Sequence, residues 1–168
     1  MKSILTTVIA AVLLCGTANA QLPKVLIAAH AIYSAPTSTD FKNTYKYGYG
    51  GDVEAGIGFG KTIISAIGSY TSYQGENSVP NLGATAFKLG LRRYLIAGLF
   101  LNANAGSVTL KNKGIDGTTS KFVVEGGAGI KLLSFELVAN YGGFNMPSTN
   151  GSSFAGAFHI KAGFAIKI

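Results

Sequence analysis

Eight antiparallel strands, joined up and down and closed into a barrel, are the architecture this sequence predicts, on three observations. From residue 24 onward the chain alternates apolar residues with polar or small ones in eight stretches, and strict alternation is the mark of a strand whose successive side chains face opposite ways. The connections alternate as well. Gly60–Thr62, Ile96–Gly98 and Leu132–Ser134 are short, whereas 35–46, 74–84, 111–120 and 145–153 are longer, polar and rich in Asn, Ser, Thr, Gly and Pro. Finally, no stretch of comparable length keeps a helical period, and none approaches the about 20 apolar residues that a membrane-crossing helix needs. A membrane span in this chain must be built from strands.

The first 20 residues stand apart. A charged start at Lys2, an apolar run from Ile4 to Leu14 and the small-residue site Ala18-Asn19-Ala20 are the three parts of a secretory signal. Cleavage between Ala20 and Gln21 divides the chain into a signal, 1–20, and one domain, 21–168. Cys15 is the single cysteine and leaves with the signal, so the exported domain has no disulfide. Bulky Leu14 before Cys15 argues against a lipidation site. Loss of Lys2 lowers the formal net charge from +7 to +6. The lysines are scattered rather than gathered in a run, and an exported chain rarely meets nucleic acid, so acidic lipid head groups are the candidate partner. Charged residues make up 12% of the chain, about half the usual share, which fits a surface that does not meet water everywhere.

The stretches follow in order. The first, 24–34, sets Val25, Ile27, Ala29, Ala31 and Tyr33 against Lys24 and His30. The second, 47–59, is the clearest, with Tyr47, Tyr49, Val53, Ala55, Ile57 and Phe59 against Asp52, Glu54 and glycines. The third, 63–73, is ambiguous because Ile63 and Ile67 share a face with Ser65, Ser69 and Thr71. The fourth, 85–94, opposes Phe87, Leu89 and Leu91 to Lys88 and Arg92, and the fifth, 99–110, opposes Leu99, Leu101, Ala103 and Ala105 to Asn102 and Asn104. The sixth, 121–132, sets Phe122, Val124, Ala128 and Ile130 against Lys121, Glu125 and Lys131. The seventh, 135–144, sets Phe135, Leu137, Ala139 and Tyr141 against Glu136 and Asn140. In the eighth, 154–168, Phe154, Phe158, Ile160, Phe164, Ile166 and Ile168 oppose His159, Lys161 and Lys167.

The minority face decides which side is the inside. Lys24, His30, Asp52, Glu54, Lys88, Arg92, Glu125, Lys131, Glu136, His159 and Lys161 bring nearly balanced charge, interleaved with glycines. A narrow lumen needs such a balance, because buried charge is tolerated only when paired and hydrogen-bonded. Asp52, Glu54, Glu125 and Glu136 are then available to Lys24, Lys88, Arg92, Lys131 and Lys161. The majority face fits a lipid-facing band. Tyr33, Tyr47, Tyr49, Tyr73, Phe122, Tyr141 and Phe154 lie toward the long loops, Phe59, Phe135 and Phe164 toward the short turns, and aliphatic residues between, as interfacial girdles require. The fold class is therefore all-β, an eight-stranded antiparallel up-and-down transmembrane β-barrel.

On these residues the exported chain resembles the small eight-stranded outer-membrane barrels of the OmpA and OmpX type. Its last residues resemble their assembly signal: polar Lys161, Gly163, then Ile166 and Ile168 at alternate positions, with Ile168 where an aromatic is usual. The resemblance implies an integral protein of the bacterial outer membrane, inserted by the barrel assembly machinery.

Other constellations carry less. Ala55–Thr62 fits a relaxed phosphate-loop pattern, but that loop must open a helix, and here alternation continues on both sides. His30 and His159, on neighbouring first and last strands, fall on the polar face and are read as lumen members rather than as a catalytic or metal site. Lipid-modifying barrel enzymes pair a histidine with a serine at the lipid-facing rim, and Lys161 stands where a serine two residues from His159 would be. No catalytic, metal or cofactor site is assigned. Arg93, adjoining Arg92, points outward at the level of inner-leaflet head groups. Lys42, Lys46, Lys111, Lys113 and Lys121 lie on or beside the long loops, as solvated lysines or as contacts for anionic glycolipid phosphates. The expected function is non-enzymatic, structural or surface-interacting through the long loops, with an unidentified extracellular ligand. The alternatives are a lipid-modifying barrel enzyme, a small-solute channel and a soluble lipocalin-like binding barrel.

Overall fold

A computed structural model describes residues 23–114, 117–148 and 151–168. The proposed signal, Cys15 and the Ala20–Gln21 cleavage site lie outside the described residues. Eight strands follow in order: β1 Lys24–Pro36, β2 Tyr45–Phe59, β3 Thr62–Gly75, β4 Leu82–Tyr94, β5 Leu99–Asn112, β6 Thr119–Leu132, β7 Phe135–Ser148 and β8 Gly151–Lys167. Each pairs antiparallel with the next, and β1 pairs with β8 to close the barrel. Closure leaves no strand edge unpaired. At the seam the Val25 amide donates to the Ile168 carbonyl at 2.8 Å and the Ile168 amide returns a bond to the Val25 carbonyl at 3.0 Å.

Alternation sets the two faces along every strand. On β1 Val25, Ile27 and Tyr33 are exposed while Leu26, Ala28, His30, Ile32 and Ser34 are buried. On β3 the ambiguity is resolved in favour of the hydroxyls: Ile63, Ser65, Ile67 and Thr71 all point inward, and Ile64 and Tyr70 outward. The short turns need left-handed backbone, supplied by Gly60 at φ 61°, by Ala97 and Gly98 at φ 49° and 80°, and by Leu133 at φ 57°.

The loop end differs from expectation in three ways. First, 35–46 is not all loop, since a single turn and a half of helix, α1 Thr39–Thr44, lies across the barrel mouth. With one apolar residue, Phe41, in six, α1 is too short to show a period. Second, the pairing of β7 with β8 runs on to Ser148 and Gly151, so the long connection expected over 145–153 shrinks to 149–150, which lie outside the described residues. Backbone pairing continues there although the sequence no longer alternates apolar with polar residues. Third, Tyr73 is not part of an outer girdle. It follows the parity of Ile63 and Thr71 into the lumen, where it is 3% exposed. A register shift between Tyr45 and Gly48 likewise turns Tyr45 inward while Tyr49 stays outside.

Candidate functional site: the lumen

The interior has three layers. The middle one is a continuous chain of charge. The Arg92 guanidinium donates to Glu54 Oε2 at 2.5 Å and to Glu136 Oε1 at 2.7 Å. The other Glu136 oxygen faces His30 Nε2 at 3.2 Å, and His30 Nδ1 lies 2.6 Å from Asp52 Oδ1. Asp52 Oδ2 then takes Lys161 Nζ at 3.1 Å, Lys161 reaches Glu125 Oε1 at 2.5 Å, and Glu125 Oε2 takes Lys88 Nζ at 2.7 Å. Asn140 also donates to Glu125 Oε1, at 2.5 Å. Strands β1, β2, β4, β6, β7 and β8 are thereby cross-linked through the lumen.

Both ring nitrogens of His30 face acceptor-only carboxylates, and only the imidazolium can donate to both. With His30 charged, Asp52, Glu54, Glu125 and Glu136 are matched by Lys88, Arg92, His30 and Lys161. That balance is what makes the desolvated layer tolerable. Gly163 stands directly opposite His30 in the β1–β8 register. A Cβ there would come within 2.0 Å of the Ala29 carbonyl oxygen, so glycine is what lets β8 close on β1 beside the histidine.

Above this layer, toward the long loops, the lumen is apolar. Phe41 of α1 drops into a ring formed by Tyr45, Tyr73 and Phe144, with ring centroids 5.4, 5.0 and 5.9 Å away. Leu82, Val108, Leu110, Val123 and Ala157 pack around them. The entering chain is tied down by the Thr37 amide on the Gly156 carbonyl at 2.9 Å and by the Gly156 amide on the Ser38 hydroxyl at 3.2 Å. Below, at the short-turn end, Leu26, Ala28, Ile63 and Ala165 pack with Tyr94.

Two expected members of the charge network do other work. Lys24 donates to the Gly60 carbonyl at 2.8 Å, and Lys131 donates to the carbonyls of Ala165, at 2.6 Å, and Leu133. Both sit at the strand ends beside the short turns, beyond reach of the carboxylate layer, and saturate turn carbonyls instead. The histidines also part company. His30 is level with Gly163 whereas His159 is level with Ser34, four residues along the strand or about 13 Å at the usual rise. His159 borders a small space of about 40 Å³ together with Thr71, Tyr73, Lys88, Glu125 and Lys161. That volume admits a water or two and no substrate. Among the described residues no group of three or more His, Cys, Asp and Glu side chains is arranged to hold a metal ion. The carboxyl-terminal residues place Lys161 and Gly163 inward and Ile166 and Ile168 outward. Arg93 is exposed on the outer face, with its guanidinium donating to the Thr62 hydroxyl at 3.1 Å.

A closed eight-stranded barrel, charged within and apolar without, is the fold of the small transmembrane β-barrels. Solved structures carry the same architecture. The chain is similar to the amino-terminal β-barrel domain of Pseudomonas aeruginosa OprF, with a TM-score of 0.56 at 16% identity over 87% of this chain and 98% of that one. Neisserial surface protein A matches at 0.55 and 14%, covering 86% and 97%. Ail, the attachment invasion locus protein of Yersinia pestis, matches at 0.54 and 15%, covering 85% and 98%. These identities carry the fold and leave the role open. No family model matches the chain, and no curated sequence is significantly similar to it.

Proposed function

We propose that this protein is an integral barrel of the bacterial outer membrane whose lumen is a sealed, salt-bridged plug. Its role is non-enzymatic, in membrane structure or surface contact. The observation that carries the reading is the pairing of a filled, charge-balanced interior with a predominantly apolar exterior belt. Val53, Ile57, Phe87, Leu89, Phe122 and Phe164 are all more than 60% exposed, which water would penalise and hydrocarbon would not. An eight-stranded barrel is only just wide enough for its own side chains, and these side chains use the space.

The surface-contact part rests on charge. Lys42, Lys46, Lys111, Lys113 and Lys121 flank the loop end, with Lys46 3.5 Å from Glu76. Anionic glycolipid phosphates are the partner this charge suits. Ail, which shares the fold, has also been crystallised with the heparin analogue sucrose octasulfate, a match with a TM-score of 0.51 at 15% identity. The connections at this end are short: 76–81 and 113–118 hold six residues each. Contact therefore falls to the rim and the outer wall rather than to extended loops. Insertion would depend on the barrel assembly machinery reading the strand that ends in Ile166 and Ile168.

Cell fractionation tests the reading. The mature chain, beginning at Gln21, is expected in the outer membrane with a heat-modifiable gel shift; recovery as a soluble periplasmic protein would overturn it.

A further inference from the structure

The outer wall is not uniform at the loop end. Over β7, β8, β1 and β2 it carries aromatics: Tyr141 and Phe154 lie 6.5 Å apart, Tyr33 and Tyr49 5.7 Å, and Tyr47 and Tyr49 5.1 Å, between ring centroids. Over β3 to β6 the outward positions at this end are Tyr70, the smaller hydroxyl residues Ser72, Thr85, Thr109 and Ser120, and Lys111. Strand register puts Tyr70, Thr85, Thr109 and Ser120 side by side in one row, and the Thr109 and Ser120 hydroxyls are 3.2 Å apart. The row next to it toward the loops is Ser72, Gly83 and Lys111. The row toward the membrane centre runs Phe87, Ser107 and Phe122.

This patch holds two shallow, outward-open depressions. A hollow of about 550 Å³ is bounded by Tyr70, Ser72, Asn81, Thr85, Lys111 and Lys113. A second, of about 700 Å³, adjoins it through Tyr70 and Thr85, with Gly68 and Ser107 at its floor and Phe87 as a wall. The chemistry is graded from cationic, through hydroxylic, to apolar in the direction of the membrane centre. Lys111 and Lys113 bring two ammonium groups to the upper hollow, a charge that suits an anion. The Thr109 and Ser120 hydroxyls face each other, and the row as a whole offers donors and acceptors to a polar occupant.

We propose that this face of β3–β6 seats one glycolipid molecule of the outer leaflet, its phosphorylated sugar against Lys111, Lys113 and the hydroxyl row and an acyl chain in the hollow beneath. The proposal rests on the outer-membrane reading and narrows its lipid contact to one wall of the barrel.

The test uses the folded mature chain in nanodiscs, with native mass spectrometry to read binding of lipid A, a phosphorylated and acylated glucosamine disaccharide, and of its dephosphorylated counterpart. Each lost charge-assisted bond corresponds to about tenfold in affinity, and each lost neutral one to about threefold. The double variant Lys111→Glu/Lys113→Glu is therefore expected to lose about tenfold or more, and Thr85→Val/Thr109→Val about threefold to tenfold. Lys61→Glu, at the short turn between β2 and β3, is expected to bind like the parent, and Lys42→Glu/Lys46→Glu, on α1 and β2, to lose less than the Lys111/Lys113 variant. The heat-modifiable gel shift confirms that each variant is folded. If the parent prefers the phosphorylated lipid but the Lys42/Lys46 variant loses as much as the Lys111/Lys113 variant, the site is overturned while the glycolipid reading stands. If the parent shows no preference, both fall.

Discussion

The middle and the mouth of the lumen solve the same problem with opposite chemistry. The middle layer fills the barrel with eight ionisable side chains in one connected chain from Glu54 to Lys88, so each member is held by groups on other strands. The mouth fills it with Phe41, Tyr45, Tyr73 and Phe144, which need only volume and shape. The two layers should fail differently. Truncating an aromatic leaves a void that neighbours can partly refill, whereas truncating an ion leaves its partners charged, desolvated and unpaired.

The largest expected effect comes from Arg92→Ala, which strands Glu54 and Glu136 together. Breaking a buried pair in this way typically costs about 3 to 5 kcal/mol. Urea unfolding in detergent or bilayer should show that loss, and Arg92→Lys should recover only part of it because an ammonium cannot bridge both carboxylates as the guanidinium does.

Phe41→Ala tests the other layer. A buried Phe→Ala change costs about 3 to 5 kcal/mol, and the low end is expected here because α1 is a surface element that can settle inward. Loss of protease resistance confined to 37–44, with the barrel intact, would be its signature. An effect as global as that of Arg92→Ala would erase the distinction between the layers.

The histidines sharpen the comparison further. Sequence alone puts His30 and His159 on one footing, and both changes would be expected to cost less than Glu54→Ala or Arg92→Ala. The structure separates them, because His30 bridges Asp52 to Glu136 while His159 borders the small space above. His30→Ala should therefore cost about 1 to 3 kcal/mol, the penalty for hydrogen-bonded groups left unsatisfied, and clearly more than His159→Ala. Equal effects in thermal denaturation would argue against the bridge.

The smallest expected effect is a gain. Leu133 holds φ 57° at a fully exposed turn. Left-handed backbone costs a side-chain-bearing residue about 1 to 2 kcal/mol, so Leu133→Gly should raise stability by about 1 kcal/mol once the added flexibility of glycine is offset.

The difference between the layers also explains how much could be read from the sequence. Strand number, the alternation of short and long connections, and the inward parity of Asp52, Glu54, Lys88, Arg92, Glu125, Glu136 and Lys161 follow from a period of two, and the backbone obeys it. The partners do not follow. Arg92 meets Glu54 and Glu136, 38 and 44 residues away and across the lumen rather than on adjacent strands, and no local pattern encodes that. Lys24 and Lys131 share the parity of the network but sit too near the strand ends to join it. The mouth was hidden for a different reason. Phe41 lies in a polar connection, and a one-residue shift after Tyr45 breaks the alternation that would have placed that ring. Tyr73 did carry a signal, since it shares its face with Ser65 and Thr71, and its position near a strand end suggested a girdle instead.

The central claim is that the lumen is sealed by its own side chains, and planar-bilayer recording of the folded mature chain tests it most directly. With the charge chain closed through the middle and the aromatic ring over the mouth, little or no steady conductance is expected. Large, reproducible openings in the unmodified protein would contradict the account and make the barrel a channel.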